Sequence, residues 1–194
     1  AIDNVGTGTH DATATVWKDL VSANAGAYDM TVKTYGSWNA NALVTNGKGA
    51  GASGPSPTDL TLKTMEGCYT LDNKPTAVNS VIYSSGLHER IGSNDKVIWH
   101  IALLSYGRWI LFGSGCDGAF FDLNEAQSGT HTMCWIKDDG SGFQDGIDLA
   151  SGSSHNGWGG SANRNGYQTV GSLGIANEIA CSVKMHAIRF YDRK

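Results

Sequence analysis

The chain has 194 residues and a net charge of −4, and its 14 lysines and arginines are scattered without runs. This distribution argues against nucleic-acid binding through a basic patch. No apolar run approaches the roughly 18 residues of a membrane helix, so membrane insertion is not expected. Charged residues make up 16% of the chain, below the roughly 25% typical of soluble domains, and the 26 glycines are about twice the usual share. This composition favours one domain over residues 1–194, built of short strands and tight turns.

The hydrophobic pattern predicts strands along most of the chain. Residues 1–15 are predicted to form a polar loop, and residues 46–57, with two of the three prolines, a flexible connector. Elsewhere, short apolar runs separated by turn residues are typical of strands. The predicted strands are 15–21 (a strand or a turn), 27–33, 42–45, 60–71, 80–84, 96–104, 109–112, 119–123, 130–137, 146–150, 167–173 and 180–191. No window of the sequence supports an amphipathic helix, so the prediction is an all-β sandwich or barrel.

The last strand has the clearest pattern. Apolar residues at 181, 183, 185 and 187 alternate with polar ones, which indicates one buried and one wet face. The phase slips between Ala187 and Ile188, after which Ile188 and Phe190 face one way and Arg189 the other. A slip inside an alternating run predicts a β-bulge or a sharp bend.

The four cysteines are Cys68, Cys116, Cys134 and Cys181, and no pair has metal-site spacing. Three disulfide pairings are possible, and the spacing does not choose among them. The favoured alternative is that they are buried free thiols, as cysteines commonly are.

Both ends of the chain resemble one protein family. The closing residues Met-His-Ala-Ile-Arg-Phe-Tyr-Asp-Arg, 185–193, resemble the ending of laminin-G-like domains of bacterial surface or prophage type, in the concanavalin A-like lectin/glucanase superfamily. The opening Asn-Val-Gly-Thr-Gly-Thr-His-Asp, 4–11, with Thr-Val-Trp-Lys-Asp-Leu at 15–20, resembles their start. Residues 131–148 and 169–172 resemble a late hairpin and strand of the same domains. The resemblance implies a jelly roll of two packed antiparallel sheets, with ligands bound on loops or on the concave face.

The resemblance also implies a missing flank. Relatives have a strand just before the opening loop, and this chain begins at Ala1 without it. We expect either an open sheet edge or a strand supplied by another segment or chain, which allows self-association or strand complementation.

A long polar loop is the predicted ligand site. Residues 151–166 are rich in glycine and contain one tryptophan, and loops of this length are usually functional or disordered. Sugars present C–H faces to aromatic rings and hydroxyls to polar groups, so Trp158 is predicted to stack on a glycan. The polar side chains predicted to assist it are His155, Asn156, Asn163 and Arg164. The alternative is that Trp158 folds back and closes the end of the sandwich.

Ca²⁺ is the cofactor that the resemblance implies. Laminin-G-like domains often hold a Ca²⁺ ion, which prefers carboxylate and carbonyl oxygens. The weak candidate ligands are Asp138, Asp139 and Asp145 at a hairpin tip, and Asn4, Asp11 and Asp19 in and after the opening loop. The alternative is that these residues form turns, with Asp11 and Asp19 bonding loop backbone amides.

Catalysis is not expected. Hydrolases of this fold carry a Glu-x-Asp-x-x-Glu strand, which the chain lacks, and its four glutamates are distant in sequence. No nucleophile-elbow pattern accompanies the histidines. The sequence therefore predicts a non-catalytic recognition module that binds carbohydrate on a cell or matrix surface, outside the cell or on a phage particle. The alternative is a structural or adhesion module of a surface or virion protein, with a protein ligand; a hydrolase ranks third.

Overall fold

The computed structural model describes residues 2–55, 63–74, 79–86, 99–104, 109–114, 117–122, 128–136, 141–149, 154–156, 167–172 and 180–193. Within these ranges the chain forms sixteen strands and a single 3-10 turn at Ser22–Asn24. None of the described residues belongs to a helix long and apolar enough to cross a membrane.

The strands are numbered in chain order. They are β1 Val16–Trp17, β2 Met30–Val32, β3 Gly36–Asn39, β4 Ala42–Thr45, β5 Ala52–Pro55, β6 Thr64–Leu71, β7 Asn79–Gly86, β8 Trp99–Leu104, β9 Trp109–Ser114, β10 Asp117–Asp122, β11 Gly129–Ile136, β12 Ser141–Gln144, β13 Ile147–Asp148, β14 Ser154–Asn156, β15 Tyr167–Val170 and β16 Lys184–Tyr191.

The strands form two antiparallel sheets. In the part of the chain described, one sheet has nine strands in the order β1-β2-β5-β15-β7-β8-β9-β10-β14. The other has seven, in the order β13-β12-β11-β6-β16-β4-β3. The predicted all-β jelly-roll sandwich of two antiparallel sheets is confirmed.

The hydrophobic core lies between the sheets. Alternation along β6 turns Met65 and Tyr69 inward, and both are fully buried. They meet Ile101 of β8, from the opposite sheet. A Cβ atom added at Gly67 would lie 2.6 Å from Ile101 Cδ1, so the missing side chain lets the sheets approach. Burying one such apolar side chain is worth roughly 1.5–3 kcal/mol.

The phase slip in the closing strand is a β-bulge, as predicted. The register of β16 against β6 shifts between Met185 and Ala187. Val183 and Met185 are buried before the shift, and Ile188 and Phe190 pack against the core after it. The extra residue restores the inward direction of the apolar side chains.

The strand β16 lies inside its sheet, between β6 and β4. Its pairing with β4 covers only Lys184 and Met185, whereas its pairing with β6 extends to Tyr191. Completion of the sheet by another segment stays a prediction.

The predicted flexible connector at 46–57 is wrong for its second half. Residues Ala52–Pro55 form β5, which pairs with both β2 and β15 inside the nine-stranded sheet. Its residues are small because the backbone just before β2 is very close: a Cβ atom on Gly54 would lie 2.2 Å from the carbonyl oxygen of Asp29. Alanine, serine and glycine carry too little hydrophobic signal to be recognised as a buried strand.

The long polar loop predicted at 151–166 is also interrupted. Residues Ser154–Asn156 form β14, which pairs with β10 at one edge of the nine-stranded sheet. The strands β3 and β12 are likewise not predicted by the sequence, because both are short and contain glycine.

The described cysteines are free thiols. Cys68 and Cys134 are half-buried and Cys181 is buried. Burial raises the pKa of Cys181 to about 12, so its thiol stays protonated at neutral pH. Free thiols are thus confirmed for these three, and Cys116 lies outside the described residues.

Candidate functional site

A cleft of about 750 Å³ opens beside the closing strand. One wall consists of Ile2, Asp3, residues 17–21 and Asn24, and the other of the consecutive residues 186–191 of β16. Consecutive side chains of a strand point to opposite faces. A cleft that is lined by all of residues 186–191 therefore runs along the edge of β16 and not over one of its faces. The remaining lining residues are Tyr28, Met30 and Gln168.

The carboxylate of Asp3 organises the start of the chain at this cleft. Its Oδ1 accepts hydrogen bonds from the backbone N–H groups of Val5, Gly6 and Thr7 at 2.7–3.3 Å, and its Oδ2 accepts one from Gly8 at 2.8 Å. These bonds, led by that of Gly8, lower the pKa of Asp3 and outweigh the opposing effect of desolvation. The loop is therefore folded around an ionised carboxylate.

Three further hydrogen bonds of Asn4 hold the same loop together and attach it to the residue after β1. The buried side chain of Asn4 exchanges two 2.8 Å hydrogen bonds with the backbone of Asp11, and the Asn4 carbonyl accepts a bond from the Lys18 amide. Asp11 in turn accepts bonds from the hydroxyl and the amide of Thr13, which lower its pKa.

The turn after β1 is held by two carboxylates. Asp19 accepts bonds from the Val21 amide at 3.0 Å and from Asn24 Nδ2 at 2.7 Å. Asp29 accepts bonds from the Asp19 amide at 2.8 Å and from Lys18 Nζ at 2.6 Å. Partial burial opposes ionisation of Asp29, but the bonds from Lys18 and Asp19 outweigh it and lower its pKa.

These bonds bear on the Ca²⁺ candidates. Asp11 and Asp19 bond loop backbone amides, which is the alternative role that the sequence suggested for them. Their carboxylates face N–H donors and do not converge on a cation. No group of three or more His, Cys, Asp and Glu side chains could hold a metal ion among the described residues. Asp138 and Asp139 lie outside those residues.

Two apolar side chains stand exposed at the mouth of the cleft. Leu20 is 58% exposed and Val21 55%, although the hydrogen bonds of Asp19 fix the turn that carries them. The third large apolar side chain exposed in the described ranges is Ile147, 70% exposed in the edge strand β13. Single exposed apolar residues are common, but an adjacent pair beside a cleft marks a surface suited to a ligand.

The cleft also offers neutral polar groups. The hydroxyls of Tyr28 and Tyr191 and the Oδ1 of Asn24 make no hydrogen bond within the described part of the chain. Gln168 differs, because it accepts a bond from the Tyr83 hydroxyl and donates one to the Tyr28 carbonyl, both at 2.9 Å.

His186 lies in the bulge and uses both ring nitrogens. Its Nδ1 is 2.7 Å from the carbonyl oxygen of Asn41, and since a carbonyl only accepts, Nδ1 carries a proton. Its Nε2 is 2.8 Å from the Thr70 hydroxyl. The ring therefore ties β16 to β6 and to the turn before β4.

A second polar cluster lies on the inner face of the seven-stranded sheet, to which β16 also belongs. His131 Nδ1 is 2.9 Å from Asp145 Oδ2, and Asp145 Oδ1 accepts the Thr132 amide at 2.7 Å. The remaining ring nitrogen, Nε2, and the hydroxyl of neighbouring Tyr69 are buried, and neither has a hydrogen-bond partner in the described part of the chain. A histidine oriented by a carboxylate is a common catalytic arrangement, but these two atoms are closed off from solvent.

The sequence-predicted glycan residues are placed only in part. His155 and Asn156 belong to β14, with their backbones opposite Gly118 and Asp117 of β10. Trp158, Asn163 and Arg164 lie outside the described residues, so their role stays a prediction. The cleft was missed because its walls are far apart in sequence. The available signal was the adjacent pair Leu20 and Val21, which a strand cannot bury together on one face.

The two-sheet antiparallel sandwich is the class that the fold defines. No family model and no curated protein sequence matches the chain. A similar solved structure is the Trypanosoma rangeli sialidase in complex with 2,3-difluorosialic acid as a covalent intermediate, at 19% identity and a TM-score of 0.65. The same sialidase with the inhibitor DANA gives 20% identity and a TM-score of 0.65. Both comparisons cover 96% of this chain and 30% of the sialidase.

A weaker likeness is to an alginate lyase of polysaccharide lyase family 7, at 11% identity and a TM-score of 0.40, covering 94% of this chain and 84% of the lyase. The chain spans about 30% of the length of the sialidases it resembles.

The prediction that the protein is not an enzyme is wrong on this comparison. The sialidases, which match 96% of this chain, are enzymes. At 19–20% identity the likeness shows the fold alone, and it assigns no catalytic residue to this chain.

Proposed function

We propose that the chain is a laminin-G-like, carbohydrate-binding domain of a glycan-processing enzyme, and that the cleft beside β16 binds the sugar. The observation that carries this proposal is the exposed pair Leu20 and Val21 at the mouth of a 750 Å³ cleft. The sialidase likeness supports an enzyme context, in which this domain is one part of a longer protein. The protein itself would act outside the cell, at a cell surface or on a phage particle.

The chemistry of the cleft suits a sugar ring. A pyranose has apolar C–H faces and hydroxyls around its rim, so it binds where apolar side chains stand beside neutral hydrogen-bonding groups. Leu20 and Val21 supply the first kind of contact, and Tyr28, Tyr191 and Asn24 the second. A rigid turn supports this recognition because little conformational entropy is lost on binding.

Binding is tested on a glycan array at high protein density, followed by calorimetric titration of the best-bound glycan. The double variant Leu20→Asn/Val21→Asn is expected to bind at least about tenfold more weakly, because it removes the apolar contact. The unfolding midpoint should stay unchanged, since both side chains are exposed.

The matched control is Ile147→Asn, which removes an equally exposed apolar side chain from the edge strand β13. This variant should bind like the wild type. No glycan bound by the wild type, or equal affinities for all three proteins, would refute the proposed site.

A further inference from the structure

We infer that the cleft selects neutral sugars and rejects acidic ones; this inference rests on the proposed function. The lining includes two carboxylates, Asp3 and Asp19, and two cations, Lys18 and Arg189. Each cation is paired with a further carboxylate. Each of these two pairs is neutral overall, so Asp3 and Asp19 give the lining a net negative charge.

Both cations of the cleft are already paired with a protein carboxylate. Lys18 Nζ lies 2.6 Å from Asp29 Oδ2, and Asp29 also accepts the Asp19 amide. The guanidinium of Arg189 is paired with Glu66, the residue opposite it on β6. An acidic sugar that bound either cation would share it with the protein carboxylate already paired to it, so the net charge that the ligand meets stays negative.

The remaining polar groups of the cleft are uncharged. The hydroxyls of Tyr28 and Tyr191 can donate or accept a hydrogen bond, and Asn24 Oδ1 can accept one. His186 is committed through both nitrogens to Asn41 and Thr70. These free groups match sugar hydroxyls, which also donate and accept, and none of them neutralises an anion.

The expected preference can be stated as a fold-change. At an ionic strength near 0.1 M charges interact over about 10 Å, so a ligand carboxylate in the cleft is repelled by the surrounding carboxylates. We expect an acidic sugar to bind at least about fivefold more weakly than its neutral counterpart at low salt. Added NaCl should reduce this difference and leave the affinity for the neutral sugar nearly constant.

The test uses paired probes on one array, each neutral glycan beside the same glycan carrying a terminal sialic or glucuronic acid. The wild type is compared with Glu66→Gln, which releases Arg189, at low and high NaCl. The matched control is Asp72→Asn, which releases Lys184 from its 2.6 Å ion pair away from the cleft. Glu66→Gln should bind acidic probes more tightly, whereas Asp72→Asn should behave like the wild type.

The outcomes separate the two proposals. Tighter binding of acidic probes by the wild type, or a neutral preference that Glu66→Gln leaves unchanged, would overturn the inference and leave the glycan-binding function standing. A failure to bind either member of any pair would refute the proposed function, and the inference with it.

Discussion

Two buried tyrosines of the core differ in the hydrogen bonding of their hydroxyl groups. Tyr83 donates a hydrogen bond from its hydroxyl to Gln168 Oε1 at 2.9 Å, and Gln168 Nε2 donates one to the carbonyl oxygen of Tyr28. Tyr69 is equally buried, and its hydroxyl has no hydrogen-bond partner among the residues that the structure describes. Burial raises the pKa of Tyr69 far above its usual range, so the group stays neutral. An unsatisfied buried hydroxyl costs stability, whereas a paired one does not.

Replacing each tyrosine by phenylalanine should therefore have opposite effects. Tyr69→Phe is expected to leave the free energy of unfolding unchanged or raise it by up to about 1 kcal/mol, because only an unpaired group is lost. Tyr83→Phe should lower it by about 1–2 kcal/mol, since Gln168 loses a partner in a buried position. Urea unfolding followed by fluorescence measures both. An equal loss for the two variants would mean that the Tyr69 hydroxyl has a partner after all.

At the scale of elements, the opening loop is a segment whose shape depends on one charge. The amides of residues 5–8 converge on Asp3, and the resulting bonds keep the pKa of Asp3 below its ordinary value of 3.8. A depressed pKa means that the ionised form stabilises the loop above the unfolded-state value. This stabilisation is lost as the pH falls through the folded-state pKa.

The loop should accordingly loosen in acid. Protection of the amides of Val5, Gly6 and Gly8 against hydrogen exchange, relative to the unfolded chain, is expected to be constant from pH 7 to about 5 and to fall below pH about 4. Asp3→Asn should show reduced protection at neutral pH and little further change in acid.

Asp72→Asn serves as the control, because the described contact of Asp72 is an exposed ion pair with Lys184 and not a set of amides. This variant should keep the acid transition of the wild type. A pH-independent protection of the loop in the wild type would contradict the role given to Asp3.

The closing strand and β5 mark the limits of prediction for single elements. In β16 the large apolar residues alternate strongly enough that even the bulge beside His186 could be predicted. In β5 the sequence Ala-Ser-Gly-Pro carries almost no hydrophobic signal, because close backbone packing at Gly54 leaves no room for side chains. Strands whose large side chains fill the core can thus be predicted from the sequence. Strands such as β5, whose backbone packs directly against another backbone segment, have small side chains and are missed.

For the whole molecule, the sequence predicted the two-sheet sandwich but not the cleft. Alternating patterns recur along the entire chain, so their sum indicates the architecture. The cleft joins Ile2 and Asp3, the turn at Leu20 and the edge of β16, which are far apart in sequence and meet only in the folded structure. Local sequence patterns do not show which distant segments come into contact. The binding site was predicted at the polar loop 151–166 because the composition of that loop can be recognised in a single stretch of sequence.

The most direct test of the account is a nuclear magnetic resonance titration of the ¹⁵N-labelled domain with the best-bound glycan of the array. The proposed site predicts that the backbone resonances of Leu20, Val21, Asn24 and residues 188–191 shift together with one dissociation constant. The resonances of His155 and Asn156 in β14 should stay in place. Shifts confined to β14 and its surrounding loop would place the binding site in the segment that the sequence analysis predicted and would contradict the proposal that the cleft binds the sugar.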